Sequence, residues 1–395
     1  MKVLMKWLMA MTLCGVASVS SAVGVIENSS AASESIAEAA SGASLFQNNC
    51  LHCHNGSVPK APHAISFNMM STASIVTAIS EGVMRQQAAH LSQEERVQIA
   101  RYLSESVDTA SEEVKACDND VTPVLAENDP GWSGWGGGIR NQRFQDADSA
   151  GLGPDTVGEL ELKWAFAYPG ATRARSQPLV HGNTVFVGSQ KGTVYALDLT
   201  SGCAHWQYEA GAEVRNGITV AMLENQSAPV LFFGDFKARV HAVSARTGAA
   251  LWKKSVGTHA DATITGSVKY HEQRLYVPIS SSEWATAADP GYPCCTFRGS
   301  VAALDANDGS LFWNSFVIPT APQETGETNP AGAKRMAPAG APVWNSPTID
   351  AERGLLYVGT GEGYTSPAVT TSDAVVAMRL EDGGIVWSQQ LLAGD

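Results

Sequence analysis

Past its first two dozen residues, this 395-residue chain has no apolar run long enough to span a bilayer. Positive charge is scarce as well. Lys and Arg total 26 against 39 Asp and Glu, and they are scattered, so nucleic acid is a poor partner. Cysteine is sparse too, at seven residues. The single C-x-x-C motif has no second ligand pair at zinc spacing, which argues against a structural zinc site.

The opening MKVLMKWLMAMTLCGVASVSSAVG contains the one apolar stretch. Lys2 and Lys6 precede it and small residues follow near Ala22, the layout of a signal peptide over residues 1–22. Cys14 follows Leu13 rather than a small residue, which speaks against a lipid anchor. Loss of Lys2 and Lys6 takes the formal net charge from −13 to −15. The mature chain is expected in the periplasm, an oxidising space, with no membrane span. Residues 23–43, with ENSSAASESIAEAASGAS, read as a flexible linker.

CLHCH sets Cys50, Cys53 and His54 in the C-x-x-C-H pattern of covalent haem c attachment. Two thiols at that spacing reach the porphyrin vinyls, and the adjacent imidazole becomes an iron ligand. Met69, Met70, Met84, His63 and His90 are within range for the other axial position. The stretch EGVMRQQAAHLSQEERVQIARYL resembles the second half of a small class I cytochrome c, whose methionine ligand precedes the closing helix; that matches Met84. Met69 and Met70 read as packing residues. Ser92 and Glu95 form a capping box, and Ile99, Tyr102 and Leu103 give the helix one apolar face. A small all-α domain is expected over residues 44–110, then a linker over 111–130.

From residue 131 a phrase recurs. GTVYALDLTSGCAHW, ARVHAVSARTGAALW, GSVAALDANDGSLFW and DAVVAMRLEDGGIVW align without gaps and end at Trp206, Trp252, Trp313 and Trp387. Each reads as a strand, a glycine turn and a second strand, with a further strand such as TVFVG or LLYVG ahead of it. Repeats of this kind are propeller blades, and their tryptophans are structural. The tryptophans stand 46, 61 and 74 residues apart, so the later blades carry insertions. One contains GYPCCTFRGS, with Cys294 beside Cys295. These two, with Cys117 and Cys203, allow three disulfide pairings, and the residues alone leave all three open.

The repeat, together with GWSGWGGGIRNQRFQDADSAGL, resembles the pyrroloquinoline quinone (PQQ) dehydrogenases, all-β propellers of eight blades. The amino-terminal cytochrome and the adjacent cysteines narrow the resemblance to the polyvinyl-alcohol dehydrogenase (cytochrome) type. Four blades over residues 131–395 then imply an incomplete wheel. The resemblance implies haem c, PQQ and calcium as cofactors. It implies Arg215, Thr265, Ser280 and Trp344 as quinone contacts, with Trp344 stacking on the ring, and Cys294 and Cys295 facing the quinone as a bridged pair. Cys117 and Cys203 then form the remaining pair. It implies Glu283 as a calcium ligand, with Glu362 standing where relatives usually carry Asn. The general-base Asp falls just beyond Asp395, so the 395-residue chain is not expected to turn over alcohol. The activity implied is oxidation of secondary alcohols, polyvinyl alcohol among them, with electrons passing through the haem to a soluble cytochrome c. Two other readings stand beside it: a haem-tethered, non-catalytic propeller scaffold, and a PQQ dehydrogenase for a small alcohol or sugar.

Overall fold

The computed structural model describes residues 41–395, except 56, 57, 59, 60, 62–66, 68, 69, 71, 105–113, 119, 120, 126–130, 170, 172 and 395. The leader over 1–22, most of the 23–43 stretch, His63, Met69 and Asp395 lie outside the described residues. The contacts divide the chain into two compact units, Met1–Val107 and Asp108–Asp395. Among the described residues, no helix is long and apolar enough to cross a membrane.

The first unit is helical, with a run over residues 41–49 and helices α1 (Leu51–His54), α2 (Thr72–Ser80) and α3 (Gln93–Ser104). The capping box starts α3: the Ser92 N–H donates to Glu95 Oε2 at 2.7 Å, and the Glu95 N–H donates to Ser92 Oγ at 3.2 Å. The apolar face of α3 buries Ile99, Ala100 and Leu103 against Phe46 and Ile75. Tyr102 leans on Phe46, with ring centroids 6.1 Å apart. At Gly42 a Cβ would lie 2.5 Å from the Gln98 carbonyl oxygen, so glycine lets the first helical run cross α3 in close contact.

The second unit is a row of antiparallel sheets. The first contains β1 (Gly131–Trp132), β2 (Leu179–His181), β3 (Thr184–Gly188), β4 (Thr193–Asp198) and β5 (Ala204–Glu209). The second runs β6 (Thr219–Ala221), β7 (Val230–Gly234), β8 (Arg239–Ser244), β9 (Ala250–Ser255). The third combines β10 (Ala262–Thr263), β11 (Lys269–His271), β12 (Arg274–Ser281), β13 (Ser300–Asp305) and β14 (Leu311–Phe316). A separate hairpin follows, β15 (Gln323–Thr328) and β16 (Lys334–Ala337). The fourth sheet is β17 (Thr348–Asp350), β18 (Leu355–Gly359), β19 (Ala374–Arg379) and β20 (Ile385–Gln390).

Inner strands such as β3 and β7 are buried at every position because a neighbouring sheet covers each face, whereas β9 is almost wholly exposed. The four outer hairpins share one register. Ala196 faces Trp206, Ala242 faces Trp252, Ala303 faces Trp313 and Ala377 faces Trp387, with a register shift just beyond each alanine. Each indole then docks on the next sheet. Trp206, Trp252 and Trp313 donate their Nε1–H to the carbonyls of Ala245, Ala306 and Leu380 at 3.1–3.3 Å. The turn glycine of the receiving sheet lies under the ring: Gly248, Gly309 and Gly383 have φ of 71–72°. A Cβ on any of them would come within 2.5–2.9 Å of indole carbon.

Trp164 extends this series in a way its sequence did not announce. It donates to Leu199 O at 3.1 Å and covers Gly202, as the repeat tryptophans do to theirs. No glycine-turn phrase surrounds it, so the pattern that reveals the others is missing. The stretch read as a linker over 111–130 also proves to be docked in its described parts. The Cys117 N–H donates to Ala204 O, the Ala204 N–H donates to Lys115 O, and Leu125 is buried among residues of the first and second sheets.

Candidate functional site

In the first unit, helix α1 carries the haem motif. Cys50 and Cys53 are free thiols, both half-buried. His54 is buried beside Phe67, with ring centroids 5.1 Å apart. Burial first, then Cys53, pushes the Cys50 thiol up. Met84 is half-buried ahead of α3, and its N–H donates to Ala78 O. Met70 packs on the core as expected, and His90 Nε2 is within 2.9 Å of Asn49 Oδ1. Two unbridged thiols followed by a buried imidazole fit covalent haem attachment.

In the second unit the sheets enter their inner strands through one repeated corner. The Gly217 N–H donates to Ser267 Oγ at 2.8 Å, and the Ser267 N–H donates to Ser346 Oγ at 2.8 Å. Ser176 Oγ donates to Asn216 O at 2.8 Å. These bonds tie the first four sheets together, strand entry to strand entry. Arg215, Thr265 and Trp344 each stand two residues before Gly217, Ser267 and Ser346. They therefore occupy equivalent places on one rim, and Thr265 Oγ1 donates to Trp344 O at 3.1 Å.

Trp344 is 59% exposed, a large indole left open where a core would have covered it. Arg215 lies 5.2 Å from the Phe236 ring and 3.6 Å from the Glu213 carboxylate, which Arg175 also approaches at 3.8 Å. Burial pushes the Glu213 carboxyl up against the pull of Arg175 and Arg173, and burial with Arg175 lowers Arg173. Three arginines around one carboxylate leave an excess of positive charge on this rim. Arg173, Arg175 and Glu213 were not singled out from the sequence; the R-A-R-S run just ahead of the first inner strand was the available signal. Ser280 is buried at the end of β12 opposite Thr263, whose hydroxyl is buried without a hydrogen bond. An open indole, guanidinium groups and an unsatisfied hydroxyl suit a flat polycarboxylate such as PQQ.

Glu283 begins a single helical turn, Glu283–Thr286, and is fully buried. Its Oε1 accepts from the Tyr292 hydroxyl at 2.8 Å and the Thr296 N–H at 2.7 Å, and its Oε2 accepts from the Phe297 N–H at 3.0 Å. His259 Nε2 approaches Oε1 at 3.4 Å. Burial opposes the charge, but these donors outweigh it and hold the carboxyl below the usual range. The Glu362 side chain is exposed, and its backbone carbonyl accepts from the Ala341 N–H. Among the described residues, no three His, Cys, Asp or Glu side chains are gathered as a metal site. With Glu283 saturated by protein donors, the described residues do not by themselves complete a calcium site.

Cys294 and Cys295 form a disulfide between neighbours, and Cys117 pairs with Cys203. The donors to Glu283 flank the vicinal bridge on both sides, so the buried carboxylate holds the loop that carries it.

Residues 132–395 match the profile of the glucose/ethanol/alcohol dehydrogenase β-propeller domain, the PQQ family, and the chain belongs to that family. Residues 37–103 match the profile of cytochrome c oxidase, cbb3-type, subunit III. Among curated relatives, the polyvinylalcohol dehydrogenase of a Pseudomonas species is 35% identical over 374 residues, covering 90% of this chain and 57% of the relative. The polyvinylalcohol dehydrogenase of a Sphingopyxis species is 32% identical, covering 90% and 56%. The chain thus spans somewhat over half the length of these relatives. The solved quinohemoprotein alcohol dehydrogenase of Comamonas testosteroni shares the fold, with a TM-score of 0.51 and 22% identity over 69% of this chain and 42% of that one.

Proposed function

We propose that the chain provides the haem domain and the quinone-facing rim of a periplasmic dehydrogenase that oxidises secondary alcohols, polyvinyl alcohol among them, to ketones. PQQ would supply a two-electron acceptor there, and haem c a one-electron relay to a soluble cytochrome c acceptor. Arg215 and Arg175 would bind quinone carboxylates, Trp344 would cover the ring, and Thr265 and Ser280 would offer it hydroxyls. Cys50 and Cys53 would hold the haem covalently, and His54 and Met84 would ligate its iron. Glu283 fastens the Cys294–Cys295 loop through Tyr292, Thr296 and Phe297. The observation that carries this reading is the open Trp344 indole on the same rim as the arginines, an aromatic face beside guanidinium groups that a flat anion can cover.

PQQ added to the purified, haem-loaded protein is expected to quench indole fluorescence. Trp344→Ala should remove most of the quench, and Arg215→Ala should weaken binding at least about tenfold, the loss of one charge-assisted pair. Equal binding by both variants and the wild type would sink the assignment of the rim.

A further inference from the structure

The glycine-rich stretch GWSGWGGGIRNQR, residues 131–143, contributes no side chain to the rim, yet it meets the four repeat sheets in turn. Gly131 and Trp132 pair with His181 and Val180 of the first sheet. The Gly134 N–H donates to Ile218 O at 3.1 Å, where the chain enters the second. Lys269 of the third sheet donates from Nζ to Trp135 O at 2.8 Å and to Gly138 O at 2.6 Å. At the fourth, the Ile349 N–H donates to Ile139 O at 2.9 Å. The Asn141 amide donates there as well, to Ser346 O, Pro347 O and Thr348 Oγ1 at 2.9–3.3 Å. The stretch is a strap across four sheets. Gly136, with φ of 79°, lets it turn back on itself, since a Cβ there would lie 2.7 Å from Asn141 Cα.

Lys269 is the unusual member of this set. It is 2% exposed, and burial pushes its amine down to about 8, with no carboxylate of the described residues acting against that. A buried lysine without a counter-ion is costly unless its donors find acceptors. Here they reach two strap carbonyls, and the uncharged amine keeps two N–H donors, so either protonation state can hold both. A side chain of methylenes alone would fill the same space and deprive those carbonyls of this donor, so the amine serves the strap. The strap in turn borders the corner that carries the rim. It bonds Ile218 and Ser346, and a Cβ on Gly217 would come within 3.1 Å of Trp135 N. Arg215 and Trp344 stand two residues before Gly217 and Ser346, and Thr265 stands four before Lys269. We propose that Lys269 is a positioning residue for the rim: its amine clasps the strap to the third sheet, and the strap sets the spacing of Arg215, Thr265 and Trp344. The proposal rests on the quinone reading given above for what the rim binds.

Trypsin reads the state of the strap, because Arg140 and Arg143 are exposed within it and Arg353, in the turn between β17 and β18, is an exposed control. In the haem-loaded whole chain, Lys269→Met is expected to speed cleavage at Arg140 and Arg143 at least about fivefold and leave Arg353 unchanged. PQQ, followed by indole quenching, should bind this variant about tenfold more weakly. The urea midpoint should move little, since relief of amine burial offsets the two lost bonds. In Lys269→Ala, propylammonium supplies the methylenes and amine that the substitution removes. It should return cleavage and affinity towards the wild type, whereas tetramethylammonium, which has no N–H, should not. Asn141→Gly suits the positive φ of 50° and loosens the strap at the fourth sheet. It should reproduce the same pair of changes, and it replaces the lysine variants if they fail to fold. Unchanged cleavage in Lys269→Met overturns the clasp. Faster cleavage with unchanged PQQ affinity overturns the positioning role, as does a loss of affinity matched by a fall in the urea midpoint. A wild type that PQQ does not quench refutes the quinone reading, and cleavage with its propylammonium rescue then decides the clasp alone.

Discussion

Glu283 and His259 each shift the other towards its charged form, while the Asp261 N–H, which donates to His259 Nδ1 at 3.0 Å, favours the neutral ring. The Glu283 carboxylate, outweighing burial, raises the His259 imidazole above its usual range, and the carboxylate itself is held below its own. Asp261, 3.9 Å from His259 Nδ1, adds to the same side of the balance. A raised histidine contributes stability below its unfolded value, near 6.5, and loses it as the pH rises through the folded value. A depressed carboxylate contributes above its unfolded value, near 4.5, and loses that contribution as the pH falls through the folded one. The melting temperature of the wild type should therefore exceed that of His259→Gln most at about pH 5–6, by the equivalent of roughly 1–2 kcal/mol, and the gap should narrow as the pH rises through the folded value. A gap independent of pH would show that the imidazole acts only by shape. Glu283 was singled out only through the family resemblance, which places a calcium ligand at that position. Its partners were not, because His259 precedes the strand before it and Thr296 and Phe297 lie beyond the cysteine pair, a closure that only the folded loop reveals.

At the scale of elements, the sheets lock together through a tryptophan from one and a glycine turn from the next. Gly248 shows the constraint most simply: φ is 71°, and a Cβ would sit 2.7 Å from Trp206 Cε3. Gly248→Ala incurs both the left-handed backbone cost and the clash, together about 2–4 kcal/mol. It should lower the urea midpoint with little change in slope, and Gly354→Ala should cost only the backbone part. Gly354 also has positive φ, at 62°, but nothing lies within 4 Å of a Cβ there. Similar losses in the two variants would remove the indole from the account. This lock was legible from the recurring G-x-x-x-W phrase because every copy faces the same contact. Strands β15 and β16 were not legible as a hairpin, since a ribbon exposed on both faces has no alternation to show. Trp164 escaped for a related reason: it performs the docking role without the turn and partner strand that mark the other copies.

Across the whole molecule, the Cys117–Cys203 bridge ties a segment ahead of the first sheet to the turn between β4 and β5. Its half-cystines are 86 residues apart, and the Ala116–Ala204 bridge beside it continues the sheet by one short strand. The expectation of a linker over 111–130 rested on its place between the two domains, which registers neither a disulfide nor a buried Leu125. Closing a loop of that length removes unfolded-state entropy equivalent to about 4–5 kcal/mol, if native strain is small. Replacing both residues in Cys117→Ala with Cys203→Ala should therefore lower the stability of the Asp108–Asp395 unit by several kcal/mol and expose residues 114–125 to proteolysis. The haem spectrum should not move, because Cys50, Cys53, His54 and Met84 all lie within Met1–Val107. Both readouts can be taken from one sample by following haem absorbance and tryptophan fluorescence through a denaturant titration. A haem transition displaced as far as the fluorescence transition would mean that the bridge stabilises the chain as a single cooperative body. A fluorescence transition that does not move would mean that the strand at Ala116 and the burial of Leu125 hold the segment without the disulfide.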